Sequence, residues 1–221
     1  MTGILQKEIE KLKKLILTLT AIVEENLDKA VISLVTRDLA LARKIIQGDY
    51  VVDEMEVEIE EEGLKILALH QPVAIDLRFI VAVLRINSDL ERIGDLAVNL
   101  AERASFISSN PRLQVPIDLS KMSQKAQEML KLAIDALINM DADTAMRVID
   151  MDDIVDEMNR KMFEVIYKRI REVPHKAEVL IHHLSATRHL ERVADHATNI
   201  AEDVIYMITG EIVRHQAEDF T

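Results

Sequence analysis

The sequence predicts an all-α protein, built as two pseudo-symmetric three-helix bundles that come from an internal duplication. Only five glycines, four prolines and 3% aromatic residues occur, whereas strands favour aromatic and β-branched side chains. Apolar residues recur at three- and four-residue spacing along most of the chain, which is the pattern of amphipathic helices. The segment at 90–102 also returns at 190–202 with its Glu, Arg, Asp and Asn residues retained. A sheet is therefore not expected.

Six helices follow from the apolar periodicity and from the breaks between its runs. Pro72 marks the turn in the first half, and Pro174 marks the corresponding turn in the second. Asp38 and Asp141 precede apolar runs and are predicted N-caps, and Gly210 is a predicted C-terminal cap. The predicted helices span residues 4–35, 38–69, 73–107, 119–139, 141–172 and 174–209.

The duplication also predicts the domain organisation. Residues 49–55 line up with residues 152–158 at an offset of 103, whereas the later copies are offset by 100. We place this difference in the turn at Pro174, because insertions and deletions belong in turns. The only convincing linker contains the run 108–111 and Pro116. We therefore predict a first bundle in residues 1–110 and a second bundle in residues 111–221.

Composition excludes several classes of function. The chain has no cysteine, so disulfides, thiolate metal sites and thiol catalysis are excluded, and any metal must bind through oxygen or imidazole. A net charge of -12 disfavours nucleic acid and favours cations or basic partner surfaces. No apolar run reaches the ~18 to 20 residues that cross a bilayer, and no signal peptide is recognisable. Catalytic motifs are also missing, so we expect a soluble protein that is not an enzyme.

Four pairs of acidic residues share one spacing, an acid followed four residues later by aspartate. Residues four apart project from nearly the same side of a helix, so each pair forms a local carboxylate stripe. Within each half, one pair lies about twenty residues before the turn and the other about twenty after it. Because helices joined by a tight turn are antiparallel, both pairs should lie at the same height. The eight residues are Asp49, Asp53, Glu91, Asp95, Asp152, Asp156, Glu191 and Asp195.

Carboxylates that converge from two helices repel one another, and a multivalent cation would relieve that repulsion. Hard or borderline ions such as Mg²⁺, Mn²⁺ and Fe accept oxygen ligands, and carboxylates can bridge two ions. On the last helix, Glu191 and Asp195 fall beside the apolar face rather than within it. The sequence thus predicts an open groove or surface site. A buried di-iron centre usually includes a Glu-x-x-His pattern, which does not occur near these positions.

Other interpretations of the acidic residues stay open at this point. Acidic residues at i,i+4 are common on solvated helix faces, where Arg85, Arg92, Arg188 and Arg192 could form weak surface salt bridges. Asp49 could also be a helix cap or mark a kink after Gly48. A helical scaffold without metal is one alternative, and a carboxylate-bridged metalloenzyme or metal-storage bundle is another.

Two further groups of polar residues have alternative roles. His182, His189 and His196 are seven residues apart and form a stripe of their own, either as residues at the bundle margin, as part of another surface, or as ligands that share a metal with the acidic residues. The glutamates between Glu56 and Glu62 form a charge run, which we interpret as a solvated face.

The repeated runs at 91–95 (ERIGD) and 191–195 (ERVAD), with 71–78 (QPVAIDLR) before the first, resemble the PhoU family of phosphate-signalling regulators. The resemblance extends from about residue 5 to residue 210 and includes the internal repeat and the overall length. It implies a cytoplasmic protein with multinuclear metal clusters on the bundle surface, bound by the same eight acidic residues. We expect iron in these clusters, with zinc, manganese or magnesium as the alternatives. Ala194 replaces Gly94 in the second copy, which leaves open whether both sites carry the same metal load.

The resemblance also implies a function and partners. Family members resemble adaptors that shut down high-affinity phosphate uptake and the phosphate-starvation response. The implied partners are the phosphate ABC transporter, through its ATP-binding subunit, and a phosphate-sensing histidine kinase. Such an adaptor would reach the membrane only through these partners, and the long apolar stripes leave room for a homodimer.

Overall fold

The computed structural model describes residues 2–113 and 119–213, and these ranges contain helices but no strand. The first half forms α1 (Thr2–Thr36), α2 (Leu39–Gly48), α3 (Tyr50–His70) and α4 (Ala74–Ser109). The second half forms α5 (Leu119–Asn139), α6 (Ala142–Glu172) and α7 (Ala177–Thr209), with a short 3-10 turn at Pro174–Lys176. The all-α prediction and the two bundles are confirmed, with α2 and α3 together in the place of one helix. Pro116 of the predicted linker lies outside the described residues.

The predicted helix ends are set by local chemistry that the duplication repeats. The side chains of Asp38 and Asp141 accept backbone N–H bonds from the first turns of α2 and α6, as predicted for N-caps. Just before them, Arg37 and Met140 adopt left-handed backbone conformations with φ of 62° and 54°. Gly210 ends α7 with φ of 81°, so its role as a C-terminal cap is confirmed.

The second predicted helix is interrupted at Asp49, which separates α2 from α3. The Asp49 carbonyl accepts the N–H of Val52 at 2.8 Å, an i,i+3 bond that tightens the turn. Gly48 precedes the break, and glycine is a poor helix former. Its counterpart in the second copy is Met151, and α6 runs through that position without a break. Asp49 makes no side-chain capping bond.

Helices α4 and α7 form the centre of the molecule and pack against each other in antiparallel orientation. Arg85 near the start of α4 meets Asp203 near the end of α7 at 3.2 Å, and Arg103 meets His182 at 3.5 Å. One hydrophobic cluster includes buried residues of both halves, so the two bundles share a core. None of the described helices is long and apolar enough to cross a membrane.

Close packing of α3 on α4 positions the first acidic pairs. Gly94 of α4 is buried against Val52 of α3, and a Cβ atom at position 94 would lie only 3.0 Å from Val52 Cγ1. The absence of a side chain at Gly94 therefore lets the two helices approach closely where their acidic residues face each other.

Candidate metal centre

The first acidic cluster combines Asp49 and Asp53 near the start of α3 with Glu91 and Asp95 in α4. Burial raises the pKa of Asp49, and the charges of Asp53 and Asp95 raise it further. Burial and the charge of Asp95 likewise raise the pKa of Glu91. The carboxylates at the start of α3 and in α4 therefore lie near enough to repel one another, because the charge of Asp95 in α4 raises the pKa of Asp49.

The second acidic cluster repeats this arrangement between α6 and α7. Burial raises the pKa of Asp195 to about 6, with further contributions from Glu191, Asp152 and Asp156. Burial also raises the pKa of Asp152, followed by the charge of Asp156. The structure thus places the eight acidic residues in two groups of four, one in each half of the molecule.

Both clusters lie at the surface of the bundles. Asp53, Asp156 and Asp195 are exposed, and the other five carboxylates are partly buried. Asp195 is exposed, and partial burial together with the charges of Glu191, Asp152 and Asp156 raises its pKa. A ligand in solution could therefore reach each cluster directly.

The protein itself supplies little positive charge to the clusters. Among the described residues, the one salt bridge to the eight acids joins Arg92 Nε to Glu91 at 3.7 Å. Arg85 pairs with Asp203 at 3.2 Å instead. Arg188 and Arg192 partly offset the rise in the pKa of Glu191 without forming a salt bridge to it. Surface salt bridges therefore do not account for the acidic pairs.

The donor chemistry of the clusters suits a hard or borderline cation. Asp152 Oδ1 is buried and has no hydrogen-bond partner, although Thr198 lies close enough to partly offset the rise in the Asp152 pKa. Such an orphaned carboxylate oxygen is a favourable metal ligand. However, no group of three or more metal-ligating side chains in the described ranges is arranged to enclose an ion. The carboxylates would have to rotate toward one another for binding.

Sequence reasoning missed the residues that extend the two clusters. The charge of Glu56 contributes to the raised pKa of Glu91, and the pKa of Glu56 is itself raised by burial and then by Glu60 and Asp53. Its counterpart at an offset of 103 is Asn159, whose side chain partly offsets the rise in the Glu191 pKa. The interpretation of Glu56 as solvated face overlooked its spacing of three from Asp53, which places both on one side of α3.

The histidine stripe lies along the contact between α4 and α7. His196 Nδ1 is 2.8 Å from Asp89 Oδ1, and the ring of His182 stacks on Phe106 with centroids 3.6 Å apart. His189 Nδ1 is buried and has no hydrogen-bond partner, and burial lowers the pKa of His189. These contacts give His182 and His196 roles in packing the two halves together.

Comparison with known proteins gives the same family throughout. The PhoU domain model matches residues 16–104 and 119–204. The chain is 37% identical over 207 residues to the phosphate-specific transport system accessory protein PhoU homolog 1 of Thermotoga maritima, covering 93% of this chain and 89% of that protein.

Solved structures support the same assignment. The crystal structure of PhoU from Pseudomonas aeruginosa aligns with a TM-score of 0.90 at 33% identity, covering 93% of this chain and 99% of that one. The phosphate transport system regulatory protein PhoU from Streptococcus pneumoniae aligns with a TM-score of 0.83 at 27% identity, covering 95% and 99% of the two chains. The two PhoU domains, the duplicated acidic pairs and this shared fold show that the chain belongs to the PhoU family.

Proposed function

We propose that this chain is a metal-binding cytoplasmic adaptor that represses phosphate uptake and phosphate-starvation signalling. Its partners in this proposal are the ATP-binding subunit of the phosphate ABC transporter and a phosphate-sensing histidine kinase. The names of its relatives, accessory and regulatory proteins of phosphate transport, support the regulatory role. The observation that carries the metal role is the pair of matched carboxylate clusters, in which nearby arginines offset only part of the mutual repulsion.

Each cluster would hold metal through two carboxylates from each of two neighbouring helices. In the first cluster these are Asp49, Asp53, Glu91 and Asp95, and in the second Asp152, Asp156, Glu191 and Asp195. Iron, or else zinc, manganese or magnesium, would supply the positive charge that the protein lacks there. When they share a bound metal, the acidic residues would hold α3 against α4 and α6 against α7. This would fix the positions of the two surfaces that partners contact.

A regulatory role accounts for the exposure of the clusters better than catalysis does. A carboxylate-bridged oxidase or a metal-storage bundle would hold its ions in a shielded core between helices. Here Asp53, Asp156 and Asp195 are exposed at the surface. A surface cluster is open to a partner protein or a small anion, as an adaptor requires.

The proposal is tested in cells that lack their own copy of the regulator, by measuring phosphate uptake and a phosphate-starvation reporter at high phosphate. The wild-type chain should repress both. The variants Glu91→Gln/Asp95→Asn and Glu191→Gln/Asp195→Asn should each relieve repression at equal protein level. The control variant Glu10→Gln/Glu164→Gln changes net charge equally at two exposed sites and should repress normally.

The opposite result would separate the two parts of the proposal. If the amide variants lose metal and still repress fully, metal binding is not required for repression. A wild-type chain that represses neither readout would contradict the adaptor role itself. Pull-down of the purified ATP-binding subunit and of the kinase's cytoplasmic portion by each variant assigns any loss of repression to one partner.

A further inference from the structure

The outer face of α3 carries an apolar stripe. Tyr50, Val57 and Leu64 follow one another at seven-residue spacing and are 60%, 50% and 53% exposed. Residues seven apart lie on the same side of a helix, and here that side is opposite the buried residues Ile59 and Ile66. The stripe is roughly 21 Å long at 1.5 Å per residue. Three large apolar side chains aligned in water indicate a contact surface rather than scattered exposure.

Acidic side chains border this stripe on both sides. Glu54, Glu58, Glu60 and Glu61 are exposed. Within the described part of the chain, none of these four forms a salt bridge. The neighbouring cation, Lys65, is paired with Glu62 at 3.0 Å and is therefore not available to the four glutamates. The face thus combines an apolar centre with uncompensated negative edges.

The corresponding face of α6 lacks this combination. At an offset of 103, Tyr50, Val57 and Leu64 correspond to Asp153, Arg160 and Tyr167. The counterpart of Glu54 is Glu157, which is paired with Arg160 at 2.5 Å and with Lys161 at 3.1 Å. At these three positions the second copy is therefore mostly polar and internally neutralised, and its exposed apolar side chains Phe163 and Tyr167 lie four residues apart instead of forming a stripe at seven-residue spacing.

Charge decides which occupant fits the α3 face. Four exposed glutamates would repel an anionic lipid surface, and they would repel α3 of a second copy of the same chain. A helix with apolar residues on one side and Lys or Arg at its edges would bury the stripe and neutralise the glutamates at once. We propose that the outer face of α3 binds a basic amphipathic helix of a partner protein. This inference rests on the proposed adaptor role and names the surface through which the adaptor makes one of its contacts.

A synthetic amphipathic peptide tests the proposal. The probe is a labelled helical peptide of roughly 20 residues, with leucines at three- and four-residue spacing and lysines on the flanks, and its control is a scrambled peptide of equal composition. Fluorescence anisotropy at near-physiological salt measures binding to the full chain. The wild type should bind the helical peptide at least tenfold more tightly than the scrambled one.

Matched variants locate the binding face. Val57→Glu/Leu64→Glu should weaken binding at least tenfold, and Glu58→Gln/Glu61→Gln should weaken it and flatten its salt dependence. Tyr167→Glu places a similar charge on the matching face of α6 and should leave binding unchanged. Circular dichroism and metal content of each variant should equal those of the wild type, which shows that the fold and the acidic clusters are intact.

Two results would overturn the proposal. If the wild type and the α3 variants bind the helical and the scrambled peptide with equal affinity, the binding is a non-specific attraction of basic peptides to an acidic protein. A wild-type dimer in analytical ultracentrifugation that Val57→Glu/Leu64→Glu converts to monomer would show that a second copy covers the face. If the peptide test fails while the wild-type chain still represses phosphate uptake, this inference fails alone and the proposed function stands.

Discussion

Single carboxylates of this molecule carry electrostatic costs that neighbouring cations relieve only in part. Asp195 has its pKa raised to about 6 by burial and by three neighbouring carboxylates. The first cluster contains an additional acid, Glu56, where the second has the neutral Asn159. The number of acids alone therefore does not set the electrostatic cost of a cluster, because the largest rise in pKa, that of Asp195, occurs in the cluster with fewer acids.

His183 offers a pH-dependent test at the residue scale. Burial, and then the charges of Arg37 and His182, lower the pKa of His183 to about 4. A histidine whose pKa is lower in the folded state than its usual value near 6.5 destabilises the fold as pH drops through that interval. Replacing it with Gln should remove this term. Urea unfolding at pH 7 and pH 4.5 should show that the wild type loses about 2 kcal/mol more than His183→Gln.

The control for this measurement is His175, which is exposed in the turn before α7. His175→Gln should lose as much stability between the two pH values as the wild type. An equal loss in His183→Gln would show that protonation of His183 does not contribute to acid destabilisation.

At the scale of helices, the duplication preserves the ends as well as the acidic stripes. Arg37 and Met140 both hold left-handed conformations directly before an aspartate N-cap. Arg37 also donates hydrogen bonds to the carbonyl oxygens of Ile107 and Asn110, which attach the end of α1 to the end of α4. Met140 is 46% exposed, and none of the described contacts requires its side chain.

Met140 therefore offers a stabilising substitution. A non-glycine residue in the left-handed region costs about 1 to 2 kcal/mol, so Met140→Gly should raise the free energy of unfolding by about 0.5 to 1 kcal/mol. Ile138 is equally exposed but helical, and Ile138→Gly should lower stability by about 1 kcal/mol. Urea unfolding of both variants checks the pair. Destabilisation by Met140→Gly would mean that the Met140 side chain contributes packing energy.

Local chemistry also explains which parts of the fold could be read from the sequence. The caps at Asp38, Asp141 and Gly210 depend on neighbouring residues, and their prediction was correct. The break at Asp49 was predicted only as an alternative, because Gly48 lowers helix propensity without fixing where a helix ends. The pairing of Asp89 with His196 could not be predicted, since it depends on how two halves about a hundred residues apart dock together. For the acidic residues, helical spacing predicted the four i,i+4 pairs but did not identify Glu56 as part of the first cluster.

At the scale of the whole molecule, polar contacts between α4 and α7 join the two halves. Asp203 is 1% exposed and accepts a hydrogen bond from Arg85, whose guanidinium also lies over the Tyr206 ring at 5.6 Å. Asp89 accepts a hydrogen bond from Asn199 and contacts His196. Each cluster has one of its two helices in this central contact, so both depend on the same packing of α4 against α7.

Removal of the Arg85 side chain tests the importance of this contact. Arg85→Ala should lower the free energy of unfolding by about 2 to 3 kcal/mol, because the buried Asp203 carboxylate loses the ion pair and hydrogen bond that Arg85 donates. Unfolding should stay a single transition, since the two halves share one core. Arg43→Ala, at an exposed position of α2, should change stability by less than about 0.5 kcal/mol. A loss in Arg85→Ala as small as the control's would show that Arg85 adds little to the joining of the two halves.

The central claim, that the duplicated carboxylates bind metal, is tested most directly by elemental analysis of untagged protein purified without chelator. The wild type should contain bound metal. Glu91→Gln/Asp95→Asn and Glu191→Gln/Asp195→Asn should each lose the share of their own half, and Glu10→Gln/Glu164→Gln should lose none. A metal-free wild type that also fails to take up iron, zinc, manganese or magnesium on reconstitution would contradict the account.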